Sequence, residues 1–180
     1  MPRRSDAAVP DLDALFDTFE RTAFRLECLG RDAGPAEASA FASFLSGRPH
    51  DVAWHQPWLD AIRRAVDAGR LVQRVRVVDQ PPTAREYFEL TLGPYHLAAG
   101  EDLRVLSAPV ARTVGIPTLD FWLLDDARVV TLDFDADGAL LGSETTTAPA
   151  VLRHLRRARD RALEHALPYA TYLETHPFPQ

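Results

Sequence analysis

Residues 133–144, DFDADGALLGSE, carry acidic residues at the spacing of an EF-hand calcium loop. The matching positions are Asp133, Asp135, Asp137, Gly138 and Glu144. An EF-hand also needs a helix on each side of the loop. Here the flanks are the alternating run RVVTLDF and the β-branched, proline-containing run TTTAP. We therefore predict a strand, an Asp-Gly turn and a second strand, with Glu144 roughly 20 Å from the turn and no calcium site.

Other catalytic and metal-binding motifs are missing from the sequence. None of the six histidines belongs to an H-E-x-x-H pair, and no G-x-S-x-G, P-loop or G-x-G-x-x-G motif is present. Adjacent acidic residues occur at Glu101-Asp102 and Asp125-Asp126, where turns or caps are the simpler explanation. A single cysteine, Cys28, allows neither a disulfide within the chain nor a cysteine zinc site. We predict no catalytic residue, no bound metal and no cofactor.

Arginines give the sequence its most specific polar pattern. Arg74 and Arg76 alternate with valines in LVQRVRVV, which places both guanidinium groups on one face of a strand. Such pairs bind phosphate or carboxylate groups, although pairing with Glu89 or Glu101 within the chain is the simpler prediction. The candidate ligand-binding or partner-binding residues are Arg74, Arg76, Tyr87, Glu101, Asp120 and Trp122.

Length and charge set the broad class of the protein. The chain has 180 residues, a composition typical of a globular domain and a net charge of −6. This charge argues against direct nucleic-acid binding. No apolar run is long enough to span a membrane, and MPRRSDAAVP has no apolar segment after its arginines. We expect a cytoplasmic protein with a disordered tail at residues 1–10.

The hydrophobic pattern predicts a single α/β or α+β domain over residues 11–176. Residues 11–69 are predicted to be helical, with helices at PDLDALFDTFERTAF, GPAEASAFASFLSG and from Pro57 to about Gly69. Residues 70–147 are predicted to form the sheet, including a hairpin at Asp125-Asp126 and a capping box at Thr83 and Glu86. Residues 148–176 are predicted to form one long C-terminal helix. The expected architecture is a helical N-terminal third packed on a mixed β-sheet.

A family resemblance covers nearly the whole chain, from about Leu12 to Leu173. It is carried by the ordered segments AFRLE, PWL, GRLVQRVRVV, YFEL, AGEDLRVL, DFWLLDD, DADGALLGSE and RARDRALEHALPYATYL. This order closely resembles a family of uncharacterised actinobacterial domains, a domain of unknown function. Its members are frequently encoded beside helix-turn-helix regulators and small companion proteins, which implies a regulatory accessory role.

A second resemblance is to phospholipase D-like sensor domains. It rests on the VRVV strand, the G-E-x-x-R step, the DD-x-x-VV hairpin and the terminal helix. Active members need H-x-K-x-x-x-x-D, whereas aligning its aspartate on Asp126 or Asp125 supplies neither the histidine nor the lysine, and the chain has no lysine. The resemblance implies a phospholipase D-like half-domain that has lost phosphodiesterase chemistry.

Two functions follow as hypotheses. The preferred one is a non-catalytic sensing or adaptor domain that serves a helix-turn-helix regulator and binds a partner protein or a small anionic ligand. The alternative is an enzyme of unrecognised, hydrolase-like type that uses Asp120, Glu101 and an arginine.

Overall fold

A seven-stranded mixed sheet organises the fold in the computed structural model, which describes residues 15–28, 35–49, 51–135 and 140–178. The strands are β1 Thr22–Glu27, β2 Leu71–Val78, β3 Asp102–Ser107, β4 Asp120–Leu124, β5 Arg128–Phe134, β6 Leu140–Thr146 and β7 Leu167–Pro168. The helices are α1 Pro35–Leu45, α2 Gln56–Asp67, α3 Ala84–Thr91, α4 Gly93–Ala98, α5 Ala108–Thr113, α6 Pro149–His165 and α7 Tyr169–Thr175, with a 3₁₀ turn at Ala53–His55. This is the predicted mixed α/β class.

The strand order is β6-β5-β4-β1-β2-β3-β7, with β1 near the centre of the sheet. Strands β1, β2 and β3 run parallel because helices connect them, whereas β4, β5 and β6 form an antiparallel meander. The meander joins the parallel half through the antiparallel pairing of β1 with β4. The short strand β7 closes the other edge against β3.

The prediction of a helical N-terminal third is wrong at residues 22–27. The segment TAFRLE forms β1, and the residues just before it, 17–21, have no regular helix. A helical stripe drawn through Phe16 and Phe19 extended the predicted helix too far, because the alternation of Phe24, Arg25, Leu26 and Glu27 has the period of a strand. The predicted tail at residues 1–10 lies outside the described residues.

The prediction of one continuous C-terminal helix is also wrong. Helix α6 ends at His165, and the chain then forms β7 and the separate helix α7. Pro168 explains the break, because the residue before a proline avoids the helical region. Helix α6 buries Leu152 together with Leu155, whereas Val151 is exposed.

Several local predictions are confirmed. Thr83 and Glu86 form a complete capping box at the start of α3. Asp125 and Asp126 turn the β4–β5 hairpin with φ angles of 51° and 57°. The Asp125 carboxylate also accepts backbone N–H bonds from Glu20, Arg21 and Thr22, which ties this turn to the start of β1.

The segment that resembled a calcium loop, residues 133–144, includes the end of β5 and most of β6. Strands β5 and β6 are antiparallel neighbours, and Glu144 sits opposite Thr131 in their register. Residues 136–139, which include the predicted Asp-Gly turn, lie outside the described residues. Because both described ends of the segment are strands, it lacks the helix-loop-helix frame of an EF-hand.

The two faces of the sheet differ in composition. One face is apolar, with Phe24, Leu26, Val75, Phe121 and Leu123 packed beneath α5 and α6. The other face has an apolar end under α2 and a charged centre on the same strands. Most of the sequence-predicted site residues lie in or beside this charged centre.

Candidate functional site: a charged sheet face beneath a tryptophan-lined cavity

The charged centre of the sheet face is built by alternation along three neighbouring strands. Every second residue of β1, β2 and the start of β4 points to this side, while the residues between them enter the apolar core. The charged residues involved are Arg25, Glu27, Arg74, Arg76 and Asp120, each at most 7% exposed. Buried charges require close partners, so their pairing determines what this surface can do.

Glu27 is held between two arginines of the adjacent strand. Its carboxylate oxygens lie 2.5 Å from Nη1 of Arg74 and 2.7 Å from Nε of Arg76. Burial opposes ionisation of Glu27, but the charges of Arg76 and Arg74 lower its pKa well below the ordinary value. Glu27 is therefore a fixed anion, and its parallel register with β2 places it between both guanidinium groups.

Arg25 and Asp120 form a second pair where β1 meets β4. Nη2 of Arg25 donates to Oδ2 of Asp120 at 2.6 Å, and the Cys28 amide donates to Oδ1 at 2.8 Å. Burial lowers the pKa of Arg25, and Nη1 of this guanidinium is enclosed without a hydrogen-bond partner among the described residues. Arg25 is thus the least completely paired arginine of the charged centre.

Glu89 and Arg85 on α3 extend the network beyond the sheet. Glu89 accepts from Nε of Arg85 at 2.9 Å and lies 3.7 Å from Nε of Arg76, while Arg85 also pairs with Glu37 on α1. Burial raises the pKa of Glu89 to about 7. The positive charge of Arg76 lowers this pKa, whereas the negative charge of Glu27 raises it. Near neutral pH, Glu89 can therefore gain or lose a proton.

A chain of hydrogen bonds leads from the charged centre to two histidines. Glu101 accepts from Nε of Arg74 at 3.0 Å, and its other oxygen bonds Nδ1 of His96. Nε2 of His96 lies 2.9 Å from Nε2 of His55. Burial of Glu101 is outweighed by Arg74 and His96, which lower its pKa to about 2.

Both histidines are neutral near pH 7. Burial is the largest cause, and it lowers the pKa of His96 and brings that of His55 to about 3. The charges of Arg74 and Arg76 act in the same direction on both rings. The chain from Arg74 to His55 is therefore an ordered polar array rather than a titrating pair at neutral pH.

A cavity of about 450 Å³ lies over this surface. Its lining includes Trp54, Trp58 and Trp122, which are all the tryptophans of the chain. The rings of Trp58 and Trp122 are 5.8 Å apart, and the guanidinium groups of Arg25 and Arg74 lie 5.7 and 5.8 Å from the Trp122 ring. The cavity therefore combines aromatic walls with a fixed polar floor, the usual make-up of a small-molecule site.

A second cavity, of about 390 Å³, lies at the carboxyl ends of the three parallel strands. Cys28, Asp79 and Ala108, which follow β1, β2 and β3, line it, and it shares Glu27 and Arg76 with the first cavity. Burial, reinforced by Asp120, raises the pKa of Cys28 to about 12. Its thiol is thus a poor nucleophile at neutral pH.

Five of the six sequence-predicted site residues come together. Arg74, Arg76 and Trp122 line the tryptophan cavity, while Glu101 bonds Arg74 and Asp120 bonds Arg25 beneath it. The simpler prediction for the arginines is confirmed, because Arg74 pairs with Glu101 and Arg76 with Glu89.

Tyr87 lies apart from the other predicted site residues. It packs beside the group formed by Tyr169, Tyr172 and Leu90, and its ring is 6.3 Å from that of Phe178. Tyr87 and Glu89 both lie on α3, but they point in different directions. Glu89 contacts the charged centre, whereas Tyr87 points away from it.

Sequence reasoning missed the contributions of β1 and of the two histidines. Arg25 and Glu27 were assigned to a mostly helical region, although their alternation with Phe24 and Leu26 signals a strand face. His55 and His96 are 41 residues apart, and no local motif announces their contact. Among the described residues, no three His, Cys, Asp or Glu side chains are grouped to hold a metal ion.

Comparison with known proteins identifies a family. No curated protein matches the chain. No helix in the described part of the chain is long and apolar enough to cross a membrane. A family model described as a domain of unknown function, DUF6879, matches residues 10–174, and the chain therefore belongs to this family.

Proposed function

We propose that this protein is a non-catalytic sensing or adaptor domain and that the tryptophan cavity holds a small ligand. The observation that carries the proposal is the cavity itself, in which three tryptophans surround a rigid array of paired charges. A floor that is already ordered before binding reduces the entropy cost of recognising a polar group.

The state of the acidic groups supports binding rather than catalysis. Glu27 and Glu101 are ionised and fixed by two partners each, and the Asp120 carboxylate is engaged by Arg25 and the Cys28 amide. A general acid or base works best when its pKa lies near the working pH, and the pKa of Glu101 is about 2.

The regulatory part of the proposal rests on the family resemblance. Members of the resembling actinobacterial family are often encoded beside helix-turn-helix regulators, so we propose such a regulator, or a small companion protein, as the partner in the cytoplasm. The phospholipase D-like relationship also stays a prediction from sequence. In this proposal, the helix-turn-helix protein supplies the DNA contact and this chain supplies the ligand response.

Filling the cavity mouth tests the ligand part of the proposal. Ala36 lines the cavity from α1 and is exposed, so Ala36→Phe obstructs the space without disturbing the core. Ala38, exposed on the same helix but not on the cavity wall, gives the matched control Ala38→Phe. The small-molecule fraction of the host cell should change tryptophan fluorescence in the wild type and in Ala38→Phe, but not in Ala36→Phe. No change in the wild type contradicts ligand binding.

Recovery of partners from native cells tests the adaptor part. The full chain, tagged and expressed at its native level, should recover a helix-turn-helix regulator after affinity capture. Adding the small-molecule fraction should change the amount recovered with the wild type but not with Ala36→Phe. Repeated capture without any regulator contradicts the assignment to a regulatory complex.

The enzymatic alternative keeps one supporting observation. Glu89 lines both cavities, and burial raises its pKa to about 7, which suits proton transfer at neutral pH. In this version, the hydrolase-like enzyme would use Glu89 beside the predicted Asp120, Glu101 and an arginine. Glu89→Gln should then abolish turnover of small esters and amides, whereas the sensing proposal expects no turnover by either protein.

A further inference from the structure

We propose that the ligand of the tryptophan cavity is a small, flat aromatic molecule that donates a hydrogen bond, from a hydroxyl or a ring N–H, to Nδ1 of His55. This inference rests on the proposed function, because it names the ligand class for the same cavity. The hydrogen-bond chain through Glu101, His96 and His55 identifies the acceptor, and the cavity walls determine the shape and charge of the ligand.

The first step fixes the tautomer of His96. Glu101 is a buried carboxylate held by Arg74, so it acts as an acceptor toward the ring of His96. A neutral imidazole has one N–H, and in His96 the hydrogen must sit on Nδ1 to satisfy Glu101. Nε2 of His96 is then unprotonated and becomes an acceptor.

The second step carries this pattern to His55. Because Nε2 of His96 is an acceptor, Nε2 of His55 at 2.9 Å must be the donor of their hydrogen bond. Nδ1 of the neutral His55 ring therefore keeps its lone pair. In the described part of the chain, this Nδ1 has no hydrogen-bond partner and is not enclosed by other residues.

The position of His55 makes this lone pair available to a ligand. His55 lines the cavity, and its ring lies 4.8 Å from that of Trp54 and 4.9 Å from that of His96. The ring is fixed from three places. It belongs to the 3₁₀ turn, it bonds His96 on α4, and His96 in turn bonds Glu101, the residue directly before β3. The acceptor is thus preorganised rather than formed on binding.

The walls of the cavity select a flat apolar body. Trp54, Trp58 and Trp122 offer aromatic surface, and Leu132 and Phe134 add apolar surface from β5. Aromatic rings prefer offset or edge-to-face partners, which a planar ligand can supply. The volume of about 450 Å³ suits a small aromatic compound rather than a peptide.

The charges of the walls argue against a cationic ligand. Arg25 and Arg74 already lie over the ring of Trp122, so a cationic ligand would meet two guanidinium groups there. An aromatic acid remains compatible, because Arg25, Arg74 and Arg76 all line the cavity. The shared chemistry is a hydrogen-bond donor on an aromatic ring, either neutral or with a carboxylate elsewhere on the ring.

Matched probe pairs test the donor requirement through tryptophan fluorescence and calorimetry. Phenol and anisole differ in the presence of the hydroxyl hydrogen, and 4-hydroxybenzoate and 4-methoxybenzoate repeat the comparison with a carboxylate. We expect each hydroxyl compound to bind the wild type about tenfold more tightly than its methyl ether, as expected for one well-placed hydrogen bond. A larger preference within the benzoate pair than within the phenol pair identifies the anionic class.

His55→Ala should remove the difference within each pair, while His154→Ala, on the exposed side of α6, should retain it. Equal binding of hydroxyl and methoxy compounds overturns the donor requirement but leaves the sensing proposal intact. If none of the four probes binds, yet the host small-molecule fraction changes fluorescence in an Ala36→Phe-sensitive way, the ligand class is wrong and the proposed function stands. If the fraction also has no effect, both proposals fail.

Nitrogen NMR of the unmutated protein gives a second, independent test. Long-range proton–nitrogen spectra assign the protonated ring nitrogen of each histidine at neutral pH. We expect protonated Nδ1 in His96 and protonated Nε2 in His55. Protonated Nδ1 in His55 would overturn the proposal without depending on any probe or variant.

Discussion

The two faces of the sheet come from the same strands but solve different physical problems. On one side, Phe24, Leu26 and Val75 pack against apolar helix residues with no polar group to satisfy. On the other, Arg25, Glu27 and Arg74, their neighbours along the strands, are equally buried and must each find a partner. Burial on the apolar face stabilises the fold through the hydrophobic effect. Burial on the charged face is nearly balanced between desolvation and pairing.

This contrast supports the choice of the charged face for the proposed ligand site. Apolar side chains of suitable volume can replace one another with modest cost, whereas a network of paired charges tolerates few changes. A face that stabilises little but demands exact partners is better explained by recognition than by folding. The tryptophan cavity lies over that face, as this explanation requires.

The largest effect is expected from breaking the charged face at its most connected residue. Arg74→Met leaves Glu27 and Glu101 buried with fewer partners and should lower the free energy of unfolding by about 3–5 kcal/mol, as measured with urea. The control Arg104→Met removes a half-exposed arginine whose carboxylate partner is Asp102, and should cost less than about 1 kcal/mol. Similar losses in the two variants would show that the charged face is not a coupled network.

A substitution that creates a cavity on the apolar face should lower the free energy of unfolding by nearly as much, but should leave ligand binding unchanged. Leu155→Ala on α6 should lower the free energy of unfolding by about 2–5 kcal/mol. Val151→Ala, on the exposed side of the same helix, should have little effect. Calorimetry should show unchanged affinity for the hydroxyl probes in Leu155→Ala. A parallel loss of probe binding would contradict the claim that the apolar face stabilises the fold while the charged face binds the ligand.

Acid should distinguish the faces through the titrating groups of the charged side. The folded pKa of Glu89 is raised to about 7, so its protonation favours the folded state as the pH falls from 7 to 4.5. The folded pKa of His55 is lowered to about 3, so protonation of the unfolded chain below pH 6.5 has the opposite effect. The lowered pKa of His96 acts in the same direction as that of His55, so Glu89 offsets only part of the histidine effect down to about pH 4.5.

Below pH 4.5, the depressed pKa of Glu101, about 2, adds to the effect of His55, and stability should fall steeply. Glu89→Gln should remove the offset, so that the melting temperature falls more steeply between pH 6.5 and pH 4.5 than in the wild type. Leu155→Ala should lower the whole curve without changing its shape. A pH profile of Glu89→Gln identical to the wild type would contradict the assigned role of Glu89.

The smallest effect is expected at a residue that belongs to neither buried face. Glu144 is exposed on β6, the edge strand of the meander. Glu144→Gln should change the free energy of unfolding by less than about 0.5 kcal/mol. Calorimetric titration should show no calcium binding to either protein. Sub-millimolar calcium binding that Glu144→Gln abolishes would restore the calcium-loop interpretation.

Patterns confined to a few residues were enough to predict several elements. The alternation in LVQRVRVV predicted both β2 and the shared face of its arginines, and the capping box located the start of α3. These succeed because their physical causes are local. Strand β1 was not predicted, because its charged residues can be buried only when they pair with residues of β2 and β4. Arg25 pairs with Asp120, and Glu27 pairs with Arg74.

The candidate site was predictable only in part for the same reason. Glu101 was identified as an arginine partner from its type alone, and its contact with Arg74 is confirmed. The bond between His55 and His96 depends on how α4 packs beside the 3₁₀ turn, which no spacing rule encodes. Trp54 and Trp58 are close in sequence, but Trp122 comes from β4, and only the tertiary fold brings it to the same cavity.

The central position of β1 has a consequence for synthesis on the ribosome. Strand β1 emerges first, yet one of its neighbours, β4, begins almost 100 residues later, as the 95-residue separation between Arg25 and Asp120 shows. The parallel strands can assemble as the chain emerges, but they then present an open β1 edge. Until Asp120 arrives, that edge carries a guanidinium group without its carboxylate. Slow translation between β3 and β4 would therefore prolong the stage at which the nascent chain is most prone to pair with another polypeptide.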